Sequence, residues 1–119
     1  MDRTMLRSRI RRGRAVAPLD GPGTIRLLGR GGGLAVQGLG GDRRSVGIPC
    51  PAASLRLLLY RCEDLTGLFV LVPPGRPILH LPGRWSPEDV HRFAVRHGAS
   101  VEIRTLPPSE YVALATSTP

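Results

Sequence analysis

The chain has 119 residues, 41% of them hydrophobic, with 15 glycines, 12 prolines and a formal charge of +8. That length suits one domain, the apolar content excludes wholesale disorder, and the glycine and proline content predicts short, often interrupted elements of mainly β structure. Cys50 and Cys62 are the only cysteines, which excludes a disulfide framework and a CxxC redox pair and predicts reduced thiols.

All 17 basic residues are arginine, and the chain has neither lysine nor asparagine. Arginine, glycine, alanine and proline codons are GC-rich, so this bias predicts a high-GC bacterial genome before any selection for guanidinium chemistry. The charge is uneven. Residues 1–14 hold six arginines against Asp2, a balance of +5 that leaves +3 for the other 105 residues. Arg7, Arg9, Arg11, Arg12 and Arg14 are the candidate phosphate-binding residues of this arm, toward nucleic acid or anionic lipid headgroups. The plainer reading is a solvated tail, or a start at Met5 or later. Residues 15–23 lack the apolar run of a signal peptide, and no uncharged run approaches the roughly 20 residues that cross a bilayer. The expected location is cytoplasmic.

In chain order, residues 1–23 read as a disordered basic arm and linker, 24–115 as a single small α+β domain and 116–119 as a tail. Within the domain, residues 24–30 read as a strand, Gly31-Gly32-Gly33 as its reversal, 34–39 as the hairpin partner, 40–42 as a second turn and 44–48 as a third strand. The strongest strands are 55–60, 67–72 and 77–81. The first two are apolar with little alternation, as expected where both faces are covered. Two faces need two covers. The expected fold is a strongly bent antiparallel sheet or partly open barrel of six or seven short strands, with one main helix near the C-terminus.

That helix follows Ser86, a good N-cap, with Pro87 at the first helical position and Glu88 and Asp89 against the positive end of the macrodipole. Val90, Phe93, Ala94 and His97 fall on one stripe, Glu88 and Arg92 make an i, i+4 pair, and Gly98 supplies the left-handed stop. Trp85 precedes the cap and is expected to pack against the first apolar residues as a staple. Residues 101–104 then alternate as an edge strand with Val101 and Ile103 inward. Residues 109–115 are expected to add one or two helical turns.

No combination of residues reaches a recognisable catalytic constellation. A P-loop needs a lysine that the chain lacks, and a dinucleotide fingerprint needs a helix where residues 34–39 read as a strand. His80, inside an apolar strand, is expected to be a satisfied neutral imidazole rather than a base. The cysteines and histidines lack zinc-finger spacing. No enzyme activity, metal or other cofactor is expected.

Laid end to end, the segments Gly67-Leu68-Phe69-Val70-Leu71, Gly75-Arg76-Pro77-Ile78-Leu79 and Leu81-Pro82-Gly83-Arg84-Trp85-Ser86-Pro87-Glu88-Asp89-Val90 resemble a stretch of uncharacterised actinobacterial proteins over residues 54–104. Strands ending in a helix also resemble bacterial pleckstrin-homology-like domains, which implies a bent antiparallel sheet capped by the helix. The strand at 101–104 departs from that order, and the resemblance carries over no binding residue.

The function expected is a noncatalytic interaction module that binds a protein partner, in the simplest case a second copy of itself through a sheet edge, with Trp85, Phe69 and Tyr60 as partner-binding residues. The alternative is an accessory protein whose arginine arm binds nucleic acid or an anionic membrane nonspecifically.

Overall fold

The computed structural model describes residues 14–20, 25–38 and 44–119. Among the described residues the fold is α+β, with eight strands in two sheets and two helices. Strands β1 (Ala15–Val16), β2 (Arg26–Arg30), β3 (Gly33–Gln37) and β4 (Ser45–Pro51) form an antiparallel meander in that order. A short 3₁₀ turn, Ala52–Ser54, then carries the chain into the second sheet. At this junction Pro51 still pairs with Gly33, and the Ala52 N–H donates to the Gly32 carbonyl at 3.1 Å before the chain leaves the first sheet.

The second sheet contains β5 (Arg56–Cys62), β6 (Leu65–Val72), β7 (Arg76–Pro82) and β8 (Ser100–Thr105) in the order β7-β6-β5-β8. Helix α1 (Pro87–His97) lies between β7 and β8 in sequence, and α2 (Pro108–Ser117) ends the chain. β5, β6 and β7 form antiparallel pairs, whereas β8 runs parallel to β5. The expected all-antiparallel sheet is therefore corrected: parallel neighbours need a long crossover, and α1 is part of it. Among the described residues the strands form two separate four-stranded sheets that are not closed into a barrel.

The alternation of β5 and β6 divides the interior in two. Leu57, Leu59, Leu68 and Val70 face inward and pack with Leu27, Leu34 and Val36 of the first sheet and with Trp85, Val90 and Phe93. Leu58, Tyr60, Cys62, Phe69 and Leu71 face the opposite way, beneath Leu106 and α2 residues Tyr111 and Leu114. Strands apolar on both faces thus have both faces covered, one by sheet and α1, the other by α2.

Helix α1 follows its local chemistry. The Ser86 hydroxyl accepts from the Asp89 N–H at 3.3 Å, and Gly98 ends the helix at φ 83°. Trp85 packs in the same core as Val90, and its indole N–H donates to the Leu81 carbonyl at 3.0 Å. The side-chain pair on the exposed face is Arg92 with Asp89 at 3.3 Å, one position from the expected Glu88.

Residues 14–20, expected in the disordered arm and linker, belong to the fold. Ala15 and Val16 pair with Leu28 and Leu27, the Leu19 N–H donates to the Arg84 carbonyl at 2.6 Å, and the Asp20 carboxylate accepts from the Arg84 N–H at 2.9 Å. Helix α2 likewise extends past the expected boundary into the tail. The arm up to residue 13 and the expected turn at 40–42 lie outside the described residues.

Candidate functional site

Two of the three aromatic residues expected at a partner surface form part of an internal cluster. Tyr60 is opposite Gly67 and Phe69 opposite His80 in the strand registers, which places their side chains on the outer face of the second sheet. The Tyr60 hydroxyl and Nε2 of His80 share a hydrogen bond of 2.6 Å, the His80 ring stacks on Phe69 with centroids 4.3 Å apart, and Tyr111 of α2 closes over them 5.3 Å from the Tyr60 ring. Gly67 is required: a Cβ there would meet the Tyr60 hydroxyl.

Burial holds the Tyr60 hydroxyl well above its ordinary value, and neighbouring Tyr111 adds to the effect. Burial also holds His80 below its ordinary 6.5. A neutral imidazole hydrogen-bonded to a neutral phenol is what a packed interior favours. The cluster joins α2 to the sheet, and Phe69 at 0% and Tyr60 at 4% exposure offer almost nothing to a partner.

Trp85 is 7% exposed and lies in the other core. The three residues therefore do not form a common apolar patch. Tyr60 and Trp85 do reach the same open cleft of about 320 Å³ at the end of the strands, where Pro87, Ile103 and Thr105 also line it, while Phe69 does not.

The accessible feature beside this cleft is β8. It is the terminal strand of its sheet, and among the described residues no strand pairs with its outer side. The Ser100 N–H donates to the Leu55 carbonyl and the Leu106 N–H to the Arg61 carbonyl. By the alternation of a strand, the even-numbered residues from 100 to 106 point their backbone groups at β5, while Val101, Ile103 and Thr105 point theirs to the open edge. Ile103 shares the inner face with Val101 but is 64% exposed, correcting the expectation that it lies inward: Val101 packs against the inner core, while Ile103 stands at the margin of the sheet.

The other face of β8 is charged. Glu102 pairs with Arg56 at 3.4 Å and with Arg104 at 3.6 Å, and Arg104 pairs with Glu110 of α2 at 2.8 Å. The expected edge strand was legible in its alternation, but the exposure of Ile103 and the ion pairs of Glu102 and Arg104 were not. The signal was present in the order Val101-Glu102-Ile103-Arg104.

Of the arm arginines, Arg14 lies among the described residues, at the start of the first sheet, and Arg7, Arg9, Arg11 and Arg12 lie outside them. Among the described residues no group of three histidine, cysteine or acidic side chains is arranged to hold a metal ion, and no helix is long and apolar enough to cross a membrane. Comparison with protein-family models, curated proteins and solved structures returns no match. The resemblance over residues 54–104 therefore rests on its element order and short segments alone.

Proposed function

We propose that this chain is a noncatalytic protein-interaction module that self-associates through the open edge of β8. The observation that carries the reading is the self-complementary order of that edge. In an antiparallel pairing of two copies centred on Ile103, Ile103 faces Ile103 of the partner subunit as a hydrogen-bonded pair. Glu102 then faces Arg104 of the partner subunit as a non-hydrogen-bonded pair, the type with the closer side chains. The two-fold axis repeats each contact.

Charges on an edge strand ordinarily oppose pairing. Opposite signs placed symmetrically about Ile103 reverse that effect in this register, each directly opposed pair contributing roughly 0.2–1 kcal/mol. Covering Ile103 adds to it, full burial of such a side chain being worth about 1.5–3 kcal/mol. The result is a continuous eight-stranded sheet across the dimer.

Charge reversal tests this reading. Glu102→Arg opposes like charges across the axis and is expected to lower the association constant at least tenfold, and Glu102→Arg with Arg104→Glu restores opposite signs and recovers much of it. Equal association of both variants and the wild type would overturn the β8 register. The alternative of phosphate binding through the arm rests mainly on residues outside those described. Salt separates the two readings, since phosphate contacts weaken steeply as salt rises.

A further inference from the structure

A second feature lies at the opposite end of α1 from Trp85 and owes nothing to β8. An open cleft of about 450 Å³ is lined by Arg14, Arg30, Arg96, His97 and the glycine turn from Gly29 to Gly33. Among the described residues no carboxylate lines it. Arg56, Arg92 and Arg104 each have an acidic partner, whereas Arg14, Arg30 and Arg96 pair with none among the described residues. Arg30 instead donates to the Ser45 hydroxyl at 3.2 Å, which anchors its guanidinium over the sheet.

Three elements converge here. The Gly29 N–H donates to the Arg14 carbonyl at 3.1 Å, joining the chain before β1 to β2. The His97 ring lies against Gly29, where any Cβ would collide with it, so the end of α1 sits directly on β2. Gly31 needs its left-handed φ of 51°, but Gly32 does not, and a Cβ on either would meet open space. The turn consequently puts no side chain at Gly31 and Gly32 into the cleft that the three arginines share with it.

The plainer account assigns Arg96 and His97 to the negative end of the helix dipole. That end carries roughly half a unit of negative charge, against three guanidinium groups, so the cleft retains a positive excess. Guanidinium forks match phosphate oxygens in pairs.

We propose that this cleft binds the terminal phosphate of a small phosphate monoester. A monoester brings close to two negative charges and three free oxygens, matching three guanidinium groups better than a singly charged diester, whose bridging oxygens are substituted. The cleft has room for the group that bears the phosphate.

The test is an amide NMR titration of the full chain with inorganic phosphate, a nucleoside monophosphate and a dinucleotide diester, each against sodium chloride at equal ionic strength. The monoester is expected to shift the Gly29, Gly31 and Gly32 amides saturably. Arg14→Gln combined with Arg96→Gln, which leaves the Arg30 hydrogen bond in place, is expected to weaken binding at least tenfold with the remaining spectrum unchanged. Arg92→Gln, on the same helix but outside the cleft, is expected to bind as the wild type does. Shifts that follow ionic strength alone, or equal binding by the double variant, would overturn the site. Diester binding as tight as the monoester would overturn the assignment to a terminal phosphate.

Discussion

The Tyr60 hydroxyl lies 2.6 Å from Nε2 of His80, inside the stack formed with Phe69 and Tyr111. That bond joins β5 to β7 across β6 and satisfies two polar groups on an otherwise apolar surface beneath α2. Tyr60→Phe removes one partner and strands the other, at an expected cost of about 1–3 kcal/mol in a denaturant melt. His80→Phe should cost less than His80→Ala, because an aromatic ring preserves the stack on Phe69.

The same pair sets a pH dependence. His80 is held below its ordinary 6.5 in the fold, so on acidification the unfolded chain takes up its proton first, and stability falls as pH drops below about 6.5. Tyr60 is held above its ordinary 10.0, so the unfolded chain loses that proton first, and stability falls as pH rises above about 10. Unfolding free energy followed across pH should show the acid-side contribution shrink in His80→Phe and the alkaline-side contribution shrink in Tyr60→Phe.

Gly67 makes room for the Tyr60 hydroxyl. Gly67→Ala is expected to push the phenol off His80 and cost about 1–3 kcal/mol, as overpacking of a tight interior does. Gly32→Ala, where the added methyl meets open space, is the control and should leave the melting temperature nearly unchanged.

Phe93 is fully buried where α1 meets both sheets. Phe93→Ala should destabilise by about 3–5 kcal/mol. Ser86→Ala, which removes one capping bond from the same helix, should cost only about 1 kcal/mol. Comparing the two melts separates core packing from helix termination.

Helix α1 was legible almost residue by residue because its determinants are local: Ser86, Pro87 and Gly98 act within one turn of their own positions. The strand at 101–104 was legible as an edge for the same reason. Its parallel partner was not, since Ser100 bonds to Leu55, 45 positions away, and nothing local encodes that choice. Apolar patterning in residues 55–60 announced that both faces are covered. It did not say that α2 covers one of them. That is why Tyr60 and Phe69, chosen for their aromatic character, turn out to be interior, and why the candidate surface moves to Ile103, Glu102 and Arg104. The arginine cleft was hidden for a similar reason: Arg14, Arg30 and Arg96 are separated in sequence and meet only because α1 ends on β2.

The most direct test of the β8 interface is sedimentation equilibrium of the wild type and Ile103→Asp across a wide concentration range at low and high salt. A wild-type dimer that persists in high salt, against an Ile103→Asp variant of unchanged fold that sediments as a monomer, is the predicted result. A wild type that remains monomeric at high concentration, or a dimer that Ile103→Asp leaves intact, would contradict it.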